Sequence, residues 1–371
     1  MKLLSVHQAI YQFDSLSAFT EAFCVSCKDA VLTNRCVLSG EAVAALNGAH
    51  CIWQEDYGTG EPTDEMINGI RAELTKRDFR RIIAIGGGTV LDIAKLLVLP
   101  AQTPLESYLA PDAVYFKQRE LLLLPTTCGT GSEMTNIAIV TFVKSGIKQG
   151  IVSDALYADA AVLIASMIDA LPEKPFAASL IDALIHSVES FLSPKATAYT
   201  RMFSQEAMRL ILEGVQEIAQ FGMQARKKYN AAFLQASNLA GIAFGNAGCG
   251  AVHAMSYPLG ASYHVPHGFS NYTLFLAVLR CYKALAPHSA IAQLQKVLAQ
   301  LLACPEESVY NELERLLACL HPFCPMHSYG ATEADISHFV EVVQQKQGRL
   351  MANACVPLNG QALLSIYQSV F

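Results

Sequence analysis

The sequence predicts an α/β domain over residues 1–172 followed by an all-helical domain over 173–371. Three observations carry that division. The first part alternates short apolar runs with amphipathic stretches, the signature of a doubly wound parallel sheet. The second part consists of long Ala/Leu-rich segments of helical period with no strand-like alternation of any strength. Between them the two prolines of "PEKPF" mark the change of character near residue 172.

In the first part, "AVLT" (30–33), "RIIAIGGG" (81–88), "LLLLPTT" (121–127) and "IAIVTFV" (137–143) are continuous apolar runs that end in Gly, Thr or polar residues. Such runs are expected for strands buried on both faces of a parallel sheet. "EPTDEMINGIRAELTKRD" (61–78), with Pro near its start and charges spaced along one face, is an intervening helix. Beyond 172 the helical segments are "PEKPFAASLIDALIHSVESFLS", then 201–220, 229–244, 272–285, 290–303, 308–320 and 332–352.

Composition removes several functions. A formal charge of -6, without a Lys/Arg cluster, offers no field for nucleic acid. His7, Gln8 and Asp14 interrupt the apolar start before a signal-peptide core forms, and no stretch reaches the roughly 18 apolar residues of a membrane span. A cytoplasmic protein acting on a small molecule is expected. The 11 cysteines are scattered except for Cys24 and Cys27, which argues for reduced thiols. With no second CxxC to complete a zinc site, that pair is expected to be two small buried residues.

"IAIGGGTVLDIAK" (83–95) is a buried strand, the glycines Gly86, Gly87 and Gly88, then a helix starting at Thr89 or Val90. Glycines there let an anion approach the backbone, and the helix terminus offers free N–H groups. The spacing is not G-x-G-x-x-G, so a plain tight turn is the alternative. A second strand end, "LLLLPTTCGTGSEMTN" (121–136), sets Thr126, Thr127, Thr130 and Ser132 around Gly129 and Gly131. Two such loops at the carboxyl edge of one sheet predict a nucleotide site.

In "SLIDALIHSVES" (179–190), Asp182 and His186 are four apart and share a helix face. An exposed pair is one reading; in so apolar a helix a buried carboxylate needing a partner is the other. "HAMSYPLGASYHVPHG" (253–268) supplies partners if its Pro/Gly turns bring His253 and His267 to one point. One carboxylate and three imidazoles suit Fe(II), Zn(II) or Mn(II) with coordination positions left open.

Taken in order, "GGGTVLDIAK", "PTTCGTGSEMTN", "DALIHSVES" and "HAMSYPLGASYHVPHG" resemble the iron-dependent (group III) alcohol dehydrogenases. The likeness spans most of the chain. It implies a Rossmann-like dinucleotide-binding domain and a helical metal-binding domain of the dehydroquinate synthase-like kind, with NAD(P) in the cleft between them. The pyrophosphate would lie on Gly87, Gly88 and Thr89 with Asp92 nearby, Thr126, Thr127 and Thr130 lining the rest and Lys148 touching the nucleotide. Asp182, His186, His253 and His267 would hold the metal, Fe(II) before Zn(II). The family habit also implies a homodimer or larger assembly. Length and the wording "SYPLGASYHVPHG" are most similar to members acting on 4-hydroxybutyrate, for whose carboxylate Lys195 and Arg201 are candidate partners.

Two positions depart from the family. Tyr257 stands where many members have a second catalytic His, which leaves Tyr257, His264 or a water chain as the proton relay. Asn34 stands where an Asp would select NAD, so it bonds ribose hydroxyls without repelling a 2′-phosphate and favours NAD over NADP only moderately. Sister activities on this scaffold are a glycerol or 1,3-propanediol type dehydrogenase, or a lyase that uses NAD transiently. A silent nucleotide- or metal-binding protein is the reading from another class.

Overall fold

The computed structural model describes residues 2–110 and 112–371, with Ile147 described by its backbone alone. The chain forms two compact units, Val6–Leu171 and Pro172–Phe371, the latter joined by a short N-terminal segment ending at Ser5.

The first unit runs β1 (Ala9–Gln12), α1 (Leu16–Ala22), β2 (Asp29–Thr33), α2 (Glu41–Ala44), β3 (His50–Trp53), α3 (Asp64–Leu74), β4 (Arg81–Gly86), α4 (Gly88–Leu97), β5 (Glu120–Pro125), β6 (Ile137–Phe142), β7 (Ile147–Val152) and β8 (Ala160–Leu163). Six of these strands form one parallel sheet in the order β1-β8-β5-β4-β2-β3. Along β4, Ile82 and Ala84 join one apolar cluster while Ile83 and Ile85 join the other, so both faces of the strand are covered. That double burial is why the strand reads as an unbroken apolar run.

One expected strand lies elsewhere. "IAIVTFV" is not in the parallel sheet; β6 pairs antiparallel with β7 in a separate two-stranded hairpin. Ala138, Val140 and Phe142 are buried, and the residues between them are only half-buried. Because the outward positions are Ile137, Ile139 and Thr141, the alternation is invisible to a hydropathy reading. Cys24 and Cys27 are a second correction, since both are exposed. Cys24 follows α1 at φ 49, the left-handed residue that turns the chain away from the helix.

From β2 the chain moves outward to β3, then returns to β4 and continues the other way through β5 and β8. The order therefore reverses between β2 and β4, and their carboxyl ends form the switch point where open α/β sheets bind ligands. Thr33 pairs with Ile85, which sets Asn34 beside Gly86.

The second unit is helical: α5 (Glu173–Leu192), α6 (Ala198–Phe221), α7 (Asn230–Ala247), α8 (Ala251–Tyr263), α9 (His267–Leu285), α10 (Ala290–Leu302), α11 (Val309–Leu320), α12 (Glu333–Lys346), α13 (Gly348–Met351) and α14 (Gly360–Ser369). The segment 332–352 is two helices, broken at Gln347. Helix α5 packs against α6, α7, α9 and α10, and every residue from Leu180 to Leu192 is buried.

The expected Pro/Gly turns between His253 and His267 are mostly helix. α8 continues through Pro258, and only His264, Val265 and Pro266 separate it from α9. Pro258 has no N–H for the Ala254 carbonyl, yet the neighbouring Met255 carbonyl is used, accepting from the buried Tyr367 hydroxyl at 2.6 Å. Gly268 has a steric reason. A Cβ there would lie 1.9 Å from the Ala178 carbonyl oxygen, so only glycine lets the start of α9 close on α5. No helix among the described residues is long and apolar enough to cross a membrane.

Candidate cofactor and metal sites

In the α/β unit the glycine turn is shaped by its neighbours. A Cβ on Gly86 would lie 2.5 Å from Val90 Cβ, and one on Gly88 would lie 2.8 Å from Thr130 Cγ2. Gly87 faces Thr127 at 3.3 Å. The two loops predicted to share a sheet edge therefore touch, and β4 and β5 are in register through Gly86 and Pro125. Helix α4 starts at Gly88, one residue earlier than expected, and its N-cap Gly87 supplies no side-chain cap. The first-turn N–H groups of Gly88, Thr89 and Val90 keep their donor capacity toward an anion.

Asp92 faces inward. Its Oδ1 accepts from the Ser132 hydroxyl at 2.6 Å and Lys95 Nζ at 3.3 Å, and its Oδ2 from the Ile139 amide at 3.0 Å. Lys95, which the sequence reading passed over, is fully buried. Its ammonium also donates to Ser132 Oγ (2.6 Å), Thr135 Oγ1 (3.0 Å) and the Ile137 carbonyl (2.8 Å). Burial pushes its pKa down against the pull of Asp92. Asp92 and Lys95 thus fasten the Gly129–Asn136 loop to α4 and position the cradle from behind.

Around this edge, Asn34 donates to Gln54 Oε1 at 2.7 Å, and Thr89 Oγ1 donates to the Gly60 carbonyl at 3.1 Å. Lys148, opposite Thr141 in the hairpin, is ion-paired with Glu61 at 2.7 Å. The hairpin and the 60–61 loop thereby lie beside Thr89. Thr126 is buried, its amide bonded to the Gly86 carbonyl at 3.0 Å.

In the helical unit, Asp182, His186, His253 and His267 do converge. Asp182 Oδ1 lies 3.6 Å from His253 Nε2 and 3.7 Å from His267 Nε2, and Oδ2 lies 3.9 Å from His186 Nδ1. The His186 ring is stacked between Phe244 and His253, at 4.2 and 4.6 Å. Burial alone would push the Asp182 carboxyl up, but the imidazoles of His186, His267 and His253 hold it well below the ordinary carboxylate range.

Two residues complete the cluster that spacing did not single out. Glu189 accepts from the Val252 amide at 2.6 Å through Oε1 and pairs with His253 Nδ1 at 2.5 Å through Oε2. Burial opposes protonation of His253, yet the bonds to Asp182 and Glu189 prevail and raise its pKa to about 9. Asn271 donates its amide nitrogen to Asp182 Oδ1 (2.8 Å) and sets it beside the ring nitrogens His253 Nε2 (3.1 Å) and His267 Nε2 (3.2 Å). The Ser256 hydroxyl donates to its Oδ1, which fixes that orientation. A carboxylate oxygen and two ring nitrogens thus face one point, a set of ligand atoms suited to a positive centre. The residues fit a divalent cation. Glu189 was readable as position i+7 from Asp182 and i+3 from His186 on one helix face; Asn271 is i+4 from His267.

The remaining candidates separate. Tyr257 is half-buried with its ring 5.8 Å from that of His267. His264 is the exposed left-handed cap of α8. Lys195 is exposed beyond the end of α5, and Arg201 donates to the Phe191 carbonyl at 3.3 Å with its guanidinium over the Phe191 ring. Both lie at the end of α5 remote from Asp182, roughly 10 Å or more along the axis at 1.5 Å per residue. The structure does not bring them to the cluster.

A parallel doubly wound sheet with a glycine cradle at its switch point, in one chain with a helical bundle that gathers one carboxylate and three imidazoles, defines a nucleotide- and metal-dependent class of enzyme. The comparisons give the family. Residues 7–165 match the model for iron-containing alcohol dehydrogenase, and residues 176–371 match that for the C-terminal part of the Fe-containing alcohol dehydrogenase family. This chain belongs to the iron-containing alcohol dehydrogenases and is an oxidoreductase acting on CH–OH donors. It is 41% identical to the 4-hydroxybutyrate dehydrogenase of Clostridium kluyveri over 100% of both chains. It is 32% identical to long-chain-alcohol dehydrogenase 1 of Geobacillus thermodenitrificans, over 86% of this chain and 83% of that protein. Among solved structures, sulfoacetaldehyde reductase from Bifidobacterium kashiwanohense in complex with NAD+ shares the fold at TM-score 0.88 and 20% identity, covering 99% of this chain and 98% of that one.

Proposed function

We propose that this protein interconverts 4-hydroxybutyrate and succinate semialdehyde by hydride transfer to and from NAD, with a divalent metal on Asp182, His186, His253 and His267. The observation that carries the reading is the convergence of ligand atoms of Asp182, His253 and His267 around the Asn271 amide nitrogen. The full-length likeness to the C. kluyveri 4-hydroxybutyrate dehydrogenase supports the substrate.

A bound divalent ion, Fe(II) before Zn(II), supplies Lewis acidity to an alcohol or carbonyl oxygen. The chain's own residues prepare for it. Glu189 holds the Nδ1 side of His253, so Nε2 is the nitrogen turned toward an ion. Gly87, Gly88 and Thr89 receive the pyrophosphate on α4, with Thr126, Thr127 and Thr130 as the facing wall and Lys148 at the margin. Asn34 meets the adenine-ribose hydroxyls and favours NAD. Tyr257, beside His267, carries the proton relay in preference to the outward His264. Asp92 acts through Ser132 and Lys95.

The test is NADH oxidation by anaerobically purified, Fe(II)-loaded protein with succinate semialdehyde, beside an uncharged aldehyde of equal length and a His267→Ala control. A preference for the semialdehyde that disappears in H267A is expected. Equal rates would discard the 4-hydroxybutyrate assignment in favour of another small alcohol or polyol, and no turnover with either would overturn the dehydrogenase reading.

A further inference from the structure

We propose that Cys249 gives this site a second, thiolate-containing metal seat, formed with His186 and His253, that takes Zn(II) in competition with the carboxylate seat of Asp182, His253 and His267. The inference rests on the metal reading above and extends it. Ligand atoms of His186, Cys249 and His253 lie within 4.8 Å of one another, as do those of Asp182, His253 and His267. All three members of the first set are buried, whereas His267 in the second is 39% exposed.

Cys249 is held in place by its backbone. It sits between Gly248, the C-cap of α7, and Gly250, the N-cap of α8. Its carbonyl accepts from Asn353 Nδ2 at 3.0 Å. A Cβ on Gly248 would lie 2.4 Å from that same Asn353 nitrogen, and one on Gly250 would lie 3.2 Å from Glu189 Oε1. The link therefore runs tightly between Asn353 and the carboxylate that orients His253, which fixes the sulfur beside the imidazoles.

The two seats exclude each other. His253 has its Nδ1 committed to Glu189, leaving Nε2 for one ion only. On binding, the metal would bond to the sulfur and to His253 Nε2, and the thiol proton and the Nε2 proton would both leave to solvent. Mixed thiolate and imidazole donors suit Zn(II) and Co(II), whereas carboxylate and imidazole with open positions suit Fe(II). The chain thus sorts metals by position: Zn(II) is drawn toward Cys249 and away from His267, while Fe(II) takes the seat that includes His267.

The experiment is anaerobic titration of the metal-free protein with Co(II), followed by absorption spectroscopy, on wild type, Cys249→Ser, His267→Ala and His186→Ala. A near-ultraviolet thiolate-to-cobalt charge-transfer band is expected in wild type, retained in H267A, and lost in both C249S and H186A. H186A keeps the thiol, so it decides the matter even if C249S does not fold. Zn(II) affinity in C249S should fall at least roughly 100-fold, as loss of a ligand exceeds loss of its outer support, with Fe(II) affinity unchanged. One equivalent of Co(II) bound without the band would overturn the thiolate seat and leave the metal site standing. No Co(II) bound at all would overturn both.

Discussion

Replacing Lys95 by Met tests whether the cradle is positioned from behind. The methionine fills the methylene space of the lysine but leaves the Ile137 carbonyl, Thr135 Oγ1 and Ser132 Oγ without the lysine's donation and removes one of the three donors to Asp92. Each buried acceptor left unmade costs about 1–3 kcal/mol. Relief of the desolvation that lowers the lysine pKa offsets part of this. Removing one partner of a buried pair costs about 3–5 kcal/mol, so a net loss of about 3 kcal/mol is expected. The molecule carries its own reporter, because the single tryptophan, Trp53, closes β3 of the same unit. Tryptophan fluorescence during denaturation should show the α/β unit melting roughly 6–12 °C lower, at about 2–4 °C per kcal/mol. A loss below about 1 kcal/mol, or unaltered NAD affinity, would refute the positioning role of Lys95.

Four further outcomes are expected. Glu189→Gln should weaken metal binding about 10–100-fold, read by competition with a chelator, because the support behind His253 is lost; unchanged affinity would show that Glu189 serves only the Val252 amide. In the metal-free protein, the His253 pKa raised to about 9 means that protonated His253 contributes stability in full below pH 6.5 and loses it as pH rises through about 9. Denaturation midpoints measured across that window should fall, and His253→Gln should flatten the slope. Tyr257→Phe should lower kcat about 100-fold while leaving KM and metal content alone, the size expected for a lost proton donor; His264→Ala should leave kcat unaltered. Gly86→Ala, which sets a methyl group 2.5 Å from Val90, should abolish NAD binding measured by calorimetry.

What could be read from the sequence followed the strength of its periodicity. β2, β4 and β5 are buried on both faces and were legible as apolar runs, and α5 to α7 and α9 to α12 repeat an apolar stripe over several turns, whereas α8, with Pro258 and Gly260 inside it, reads as turns. β1, β3 and β8 are four residues each, too short to carry a period, and β1 is exposed along its length. β6 was visible as a strand but not as a hairpin partner, because Ile137 and Ile139 disguise its outward face. In the metal cluster, Asp182 and His186 announce themselves by i, i+4 spacing. Glu189 and Asn271 stand at helical spacings from His186 and His267, but a carboxylate, an amide and, at Cys249, a thiol acquire meaning only when tertiary packing shows what they face. Cys24 and Cys27 mislead in the other direction: both lie outside, Cys24 at a left-handed turn, whatever their burial preference.

The hydrogen bond from Tyr367 to the Met255 carbonyl has a consequence for biosynthesis. The helix that carries His253 is completed by a residue 112 positions later in the chain, so the ribosome must make nearly all of the helical unit before that helix has its full set of partners. The Met255 carbonyl, two residues from His253, is therefore among the last groups of that helix to gain its donor.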